Sequence, residues 1–114
     1  MNPTKEEILH VEVSIQELQA EIANAEALTR LENNEDFKNL ISQGYFVNHA
    51  SYLADHLGNS GMQAVESQEA IMAQLKAIGI FKNYLRVTHL KANMAKDAIA
   101  GEREALQAME TSNE

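Results

Sequence analysis

From Ile8 onward the apolar residues of the first segment fall at Ile8, Val11, Ile15, Leu18, Ile22 and Ala25. Steps of three and four alternate, which repeats as a heptad and lays one stripe along a long helix. Asn2 or Thr4 is placed to cap that helix, Pro3 stands where a first-turn proline is tolerated, and Glu6 and Glu7 put negative charge beside the positive end of its dipole. The pattern predicts a first helix over 3–31, about 42 Å long at 1.5 Å per residue.

The polar run Glu32-Asn33-Asn34-Glu35-Asp36 breaks this stripe, and Asn33 or Asn34 is suited to cap a short helix through Phe37, Leu40 and Ile41. Gly44 is expected to stop it. A third helix is predicted from Phe46, Val47, Ala50, Leu53, Ala54 and Leu57, ending at Gly58-Asn59-Ser60-Gly61, the clearest loop signal in the chain. Residues 34–58 thus read as a helical turnaround whose core is Phe37, Leu40, Ile41, Phe46 and Leu53.

Ser67-Gln68-Glu69-Ala70 resembles a helix start, although Ala70 stands where a capping box needs Glu or Gln. The element that follows, 67–110, is the longest. Ile71, Leu75, Ile78, Phe81, Leu85, Thr88, Ala92, Ala95, Ile99, Glu102, Leu106 and Met109 hold the three-four rhythm with only Thr88 and Glu102 polar. A second row, Ala73, Ala77, Ile80, Tyr84 and Val87, runs along an adjacent face. From Ile78 to Leu90 the helix is apolar over more of its circumference than one partner helix covers, the pattern of an element buried on two sides. The first helix takes one side; the other is left either to the turnaround or to another subunit. Gly79 inside this helix marks a close crossing, a bend or a tolerated neutral position. The fold class expected is all-α: one domain over 1–114, an antiparallel helical hairpin of two long helices with two short helices at the closed end, oligomeric.

Charge changes this picture by its distribution. Nine Lys+Arg against seventeen Asp+Glu give a formal net charge of -8. Residues 1–36 hold Glu6, Glu7, Glu12, Glu17, Glu21, Glu26, Glu32, Glu35 and Asp36 against Lys5 and Arg30, whereas residues 76–96 hold Lys76, Lys82, Arg86, Lys91 and Lys96 and no acid. Lys82, Arg86, His89 and Lys96 make a basic stripe beside the apolar seam; Glu12 with Glu26 and Glu7 with Glu21 flank the seam of the first helix in the same way. Flanking charges of this kind fix the pairing and orientation of helices. The candidate interaction residues are therefore Ile80, Tyr84 and Val87 from the second row, Lys82, Arg86 and Lys96 from the basic stripe, and Glu12 and Glu21 from the acidic helix. Net negative charge, few free aromatic platforms and no recognised motif argue against nucleic acid as the partner of the basic stripe.

Candidate chemistry is sparse. The absence of cysteine excludes disulfides, thiolate metal sites and thiol catalysis. Glu7-x-x-His10 has the spacing of a di-iron carboxylate motif, but such sites need two of these motifs and two further carboxylates. His49 and His56 lie seven apart with Asp55 adjacent, short of the three or four converging ligands of a zinc site, and read as solvated or capping histidines. No Gly-x-Ser-x-Gly and no phosphate-binding Gly-rich loop is present. The expectation is a protein without catalytic residues, cofactor or metal. The first seven residues, with Glu6 and Glu7, do not read as a secretory signal, and no stretch approaches the length of a membrane span.

The run Leu28-Thr29-Arg30-Leu31-Glu32-Asn33-Asn34-Glu35-Asp36-Phe37-Lys38-Asn39-Leu40-Ile41-Ser42-Gln43-Gly44-Tyr45-Phe46, followed by Ala77-Ile78-Gly79, Tyr84-Leu85 and Asn93-Met94-Ala95, resembles a group of short acidic proteins of tailed bacteriophages. The similarity extends from about Ile8 to Glu104. What it implies is a small protein carried among phage structural genes, and it brings no catalytic residues with it. The expected function is a non-enzymatic structural or virion-assembly protein that oligomerises through its helices and docks on a larger virion protein. Its location would be the host cytoplasm during assembly, or the virion. The alternative is an acidic inhibitor or adaptor that binds a host protein through the glutamate-rich first helix.

Overall fold

The computed structural model describes residues 4–112, and all regular structure among them is helical. Helix α1 spans Lys5–Glu32. Its cap is Thr4, whose hydroxyl accepts from the Glu7 backbone N–H at 3.1 Å while Glu7 Oε2 accepts from the Thr4 N–H at 3.1 Å. This reciprocal capping box satisfies two donors that a helix start leaves without intrahelical partners. Asn2 and Pro3 lie outside the described residues. At the other end the Asn33 side-chain amide donates to the Thr29 carbonyl at 3.0 Å, and Asn34 Oδ1 accepts from Phe37 N–H at 3.1 Å, so the polar break caps the next helix.

That next element departs from the expected pair of short helices. Helix α2 (Glu35–Phe37), a π-helical segment (Lys38–His49) and helix α3 (Ala50–Leu57) follow one another without a break. Gly44 ends nothing. Glycine stops a helix by adopting a left-handed conformation, and none of the described glycines has a positive φ. Its role is instead steric: a Cβ on Gly44 would lie 2.7 Å from the carbonyl oxygen of Asn39. Asn39 is five residues upstream, the spacing across one π-turn. The wider turn also explains why Leu40, expected in the core on a 3.6-residue period, is exposed, whereas Phe37, Ile41 and Phe46 are half-buried and Leu53 is buried.

The connection 58–64 is tied by two glutamines. Gln63 Nε2 donates to the carbonyls of Leu57 at 2.9 Å and Asn59 at 2.7 Å, and Gln68 Nε2 donates to those of Met62 at 2.6 Å and Leu57 at 3.4 Å. Both amides reach the Leu57 carbonyl, which the end of α3 leaves without a helical donor. A 3₁₀ turn, Ser60–Met62, fills the loop, with Asn59 Oδ1 accepting from Gly61 N–H at 2.8 Å. Helix α4 spans Val65–Ser112 and so begins before Ser67.

The chain divides into two compact units. One comprises Leu28–Arg86. Its core is Leu53, Ile71 and Ile78, surrounded by Tyr45, Phe46, Ala50, Leu57, Met62 and Leu75. Phe46 and Phe81 meet edge to face with ring centroids 5.3 Å apart, a favoured aromatic geometry. The other unit takes the described residues of 1–27 and 87–114. There α4 packs on α1 in a hairpin-like arrangement. Val11 and Ala25 are its buried residues on α1, and Ala92, Ala95 and Ile99 those on α4. Alanines at such a seam let two helix backbones approach closely.

The twelve seam positions of α4 are all buried or half-buried, as are Ile8, Val11, Ile15, Leu18, Ile22 and Ala25 on α1. Gly79 marks no close crossing, because a Cβ there would meet nothing within 4 Å.

Candidate functional site

The second apolar row of α4 is on the surface. Ile80 is 65 % and Tyr84 68 % exposed, Ala73 and Ala77 are exposed as well, and Val87 is half-buried. Of the two alternatives for this row, coverage by the turnaround within the chain is therefore corrected. The physical reason lies in register: Leu53 and its neighbours pack on the Ile71–Ile78 face, and the row falls on another side of the same helix. Nearer the helix start Gln68, Glu69, Met72, Ala73, Leu75 and Lys76 line an open, largely apolar depression, with Met72 55 % exposed. Met72, Lys76 and Glu69 are not among the expected interaction residues; of the three, only Glu69, four residues before Ala73, continues the row's spacing toward the helix start.

The charged candidates are placed as follows. Lys82 is exposed and holds its Nζ 5.8 Å from the centroid of the Phe46 ring, a cation–π arrangement over the aromatic core. Arg86, also exposed, donates from its guanidinium to Asn83 Oδ1 at 2.7 Å and 3.3 Å. Lys96 and Glu12 are exposed and Glu21 is half-buried. Within the unit of 1–27 and 87–114, Lys96 and Lys91 form no ion pair with the acids of α1 among the described residues. An ion pair joins Lys38 to Glu35 at 3.6 Å, on the surface of the other unit.

A second feature is a ladder of rings along the π-helical segment and α3. Tyr45 stacks on His49 at 5.9 Å between centroids, His49 on Tyr52 at 6.0 Å, and Tyr52 meets His56 at 4.1 Å. His56 Nδ1 is 2.9 Å from the Tyr52 carbonyl oxygen. The two histidines, expected to be solvated or capping, are half-buried against tyrosines. Steps of four, three and four from Tyr45 to His56 carried this signal in the sequence. Glu7 of the Glu7-x-x-His10 pair is engaged in the capping box of α1. Among the described residues no three His, Asp or Glu side chains converge to hold a metal ion. No helix among them is long and apolar enough to cross a membrane.

The chain matches no protein family, no characterised protein and no solved structure. The functional reading therefore rests on the surface of α4.

Proposed function

We propose that this chain is a non-enzymatic structural or assembly protein of a tailed bacteriophage, an antiparallel helical hairpin that self-associates through α4 and docks on a larger virion protein. The observation that carries the reading is the exposed row Met72, Ala73, Ala77, Ile80 and Tyr84 on a helix whose neighbouring seam is already buried or half-buried. Contiguous apolar surface rimmed by charge is characteristic of protein contact sites. The resemblance of 28–46, 77–79, 84–85 and 93–95 to short acidic phage proteins supports the virion context. Light scattering over a concentration series tests it: the particle mass is a multiple of the chain mass at high micromolar concentration, and a strictly monomeric particle overturns the reading.

A second reading has its own observation. Glu12 and Glu26 are exposed fourteen residues apart on one flank of α1, and Glu17 is exposed on another side, so the helix presents acids suited to a basic surface on a host protein. On that reading, replacing Glu12, Glu17 and Glu21 by Gln abolishes capture of the host protein while the particle mass is unchanged.

A further inference from the structure

The exposed row of α4 has a symmetry of its own. Because α4 is one unbroken helix, spacing along it decides which residues share a face. Glu69, Ala73, Lys76, Ile80, Tyr84, Val87 and Lys91 follow at steps of 4, 3, 4, 4, 3 and 4, an order that reads the same in both directions from Ile80. All are exposed except Val87, which is half-buried. We infer that the occupant of this face is the same face of a second copy, packed antiparallel about a two-fold axis through Ile80.

In that register Ile80 meets Ile80, Ala73 faces Val87, Lys76 faces Tyr84 and Glu69 faces Lys91. A two-fold contact requires such self-complementarity, since every residue pair occurs twice. Small residues oppose larger ones, which lets the helices interlock. The charges choose the direction. Antiparallel pairing sets each Glu69 against a Lys91 and each Lys76 over a tyrosine ring, a favourable cation–π partner. Parallel pairing about a two-fold would set Glu69 against Glu69, Lys76 against Lys76 and Lys91 against Lys91, three repulsive contacts. Glu69 and Lys91 are not engaged in ion pairs with other described residues, so their charges are available to a partner.

This inference rests on the self-association proposed above, and its test separates the two. The chain has no cysteine, so single substitutions report register cleanly. Under mild oxidation Ile80→Cys gives a covalent dimer, Tyr84→Cys alone does not, and a mixture of Lys76→Cys with Tyr84→Cys gives the mixed dimer. Reversing one charge, Glu69→Lys, weakens association by about tenfold, the effect of two contacts of exposed ion-pair strength; adding Lys91→Glu restores it. Far-UV circular dichroism (CD) checks that each variant keeps its helix content. If the protein associates but Tyr84→Cys cross-links to itself better than Ile80→Cys, or the double charge reversal fails to restore association, the two-fold register is overturned while self-association stands. A protein that stays monomeric throughout overturns both.

Discussion

Replacing Gly44 by alanine tests the π-helical segment directly. The added Cβ would stand 2.7 Å from the Asn39 carbonyl oxygen, against a carbon–oxygen contact distance of about 3.3 Å, so the backbone must open by about 0.6 Å. A backbone carbonyl has no rotamer by which to escape. Forcing extra volume into such a contact costs about 1–3 kcal/mol, offset by the ~1 kcal/mol that alanine gains over glycine in a helix. If instead one wide turn contracts to an α-turn, every following residue shifts by one position, about 100° around the axis. That carries Leu53, only 4 % exposed, away from Ile71 and Ile78, and losing a buried leucine from a core costs about 2–5 kcal/mol. The first route nets a loss of up to about 2 kcal/mol and the second a larger one, so Gly44→Ala falls below the gain expected of alanine at an unhindered helical glycine. The assay is urea unfolding followed by far-UV CD, with all proteins at one concentration because association shifts apparent stability. Gly79→Ala and Gly101→Ala serve as internal references: a Cβ at either meets nothing within 4 Å, so each gains about 0.5–1 kcal/mol. A Gly44→Ala protein that gains stability in step with the other two refutes the steric role assigned to this glycine.

Further expectations concern the two units and their connections. Leu53→Ala lowers stability by about 2–4 kcal/mol in the same unfolding assay, because it empties the centre of the Leu28–Arg86 core. Ala95→Leu, at a position 1 % exposed on the α1–α4 seam, costs about 1–3 kcal/mol by overpacking, read as a lower midpoint of thermal unfolding. Asn34→Ala removes the acceptor for the Phe37 N–H and costs about 1 kcal/mol, recovered in part by Asn34→Ser or Asn34→Asp. Gln68→Ala leaves the Met62 carbonyl without its amide donor and lowers stability by about 1 kcal/mol, with faster amide exchange across 58–64 as the local readout.

The long helices were legible because their information is periodic. At Ile71, Ile78, Ala92, Ala95 and Ile99 the three-four spacing alone identified the buried side of α4, and on α1 it identified Val11 and Ala25. Even the polar Thr88 and Glu102 occupy the half-buried places that the rhythm assigned them. The turnaround was less legible, since a period measured in α-turns misplaces side chains wherever the turn is wider. Leu40, expected in the core, is exposed for that reason. Gly44 was misread because a helix-stopping glycine and a glycine that admits a nearby carbonyl look alike in sequence; only the Asn39 contact tells them apart. The start of α4 was missed because the groups organising it are the Gln63 and Gln68 amides, which reach backward across the loop. As for the proposed interaction surface, the sequence marks its row but leaves open whether the chain covers it.

The placement of the aromatic rings has a practical consequence. The chain has no tryptophan and three tyrosines; Tyr45, Tyr52 and Tyr84 all belong to the Leu28–Arg86 unit, as do Phe37, Phe46 and Phe81. Intrinsic fluorescence is thus a private signal of that unit, whereas amide dichroism is common to the whole chain. Overlaying the two melting profiles asks of the unmodified protein whether its two parts let go in concert or in turn.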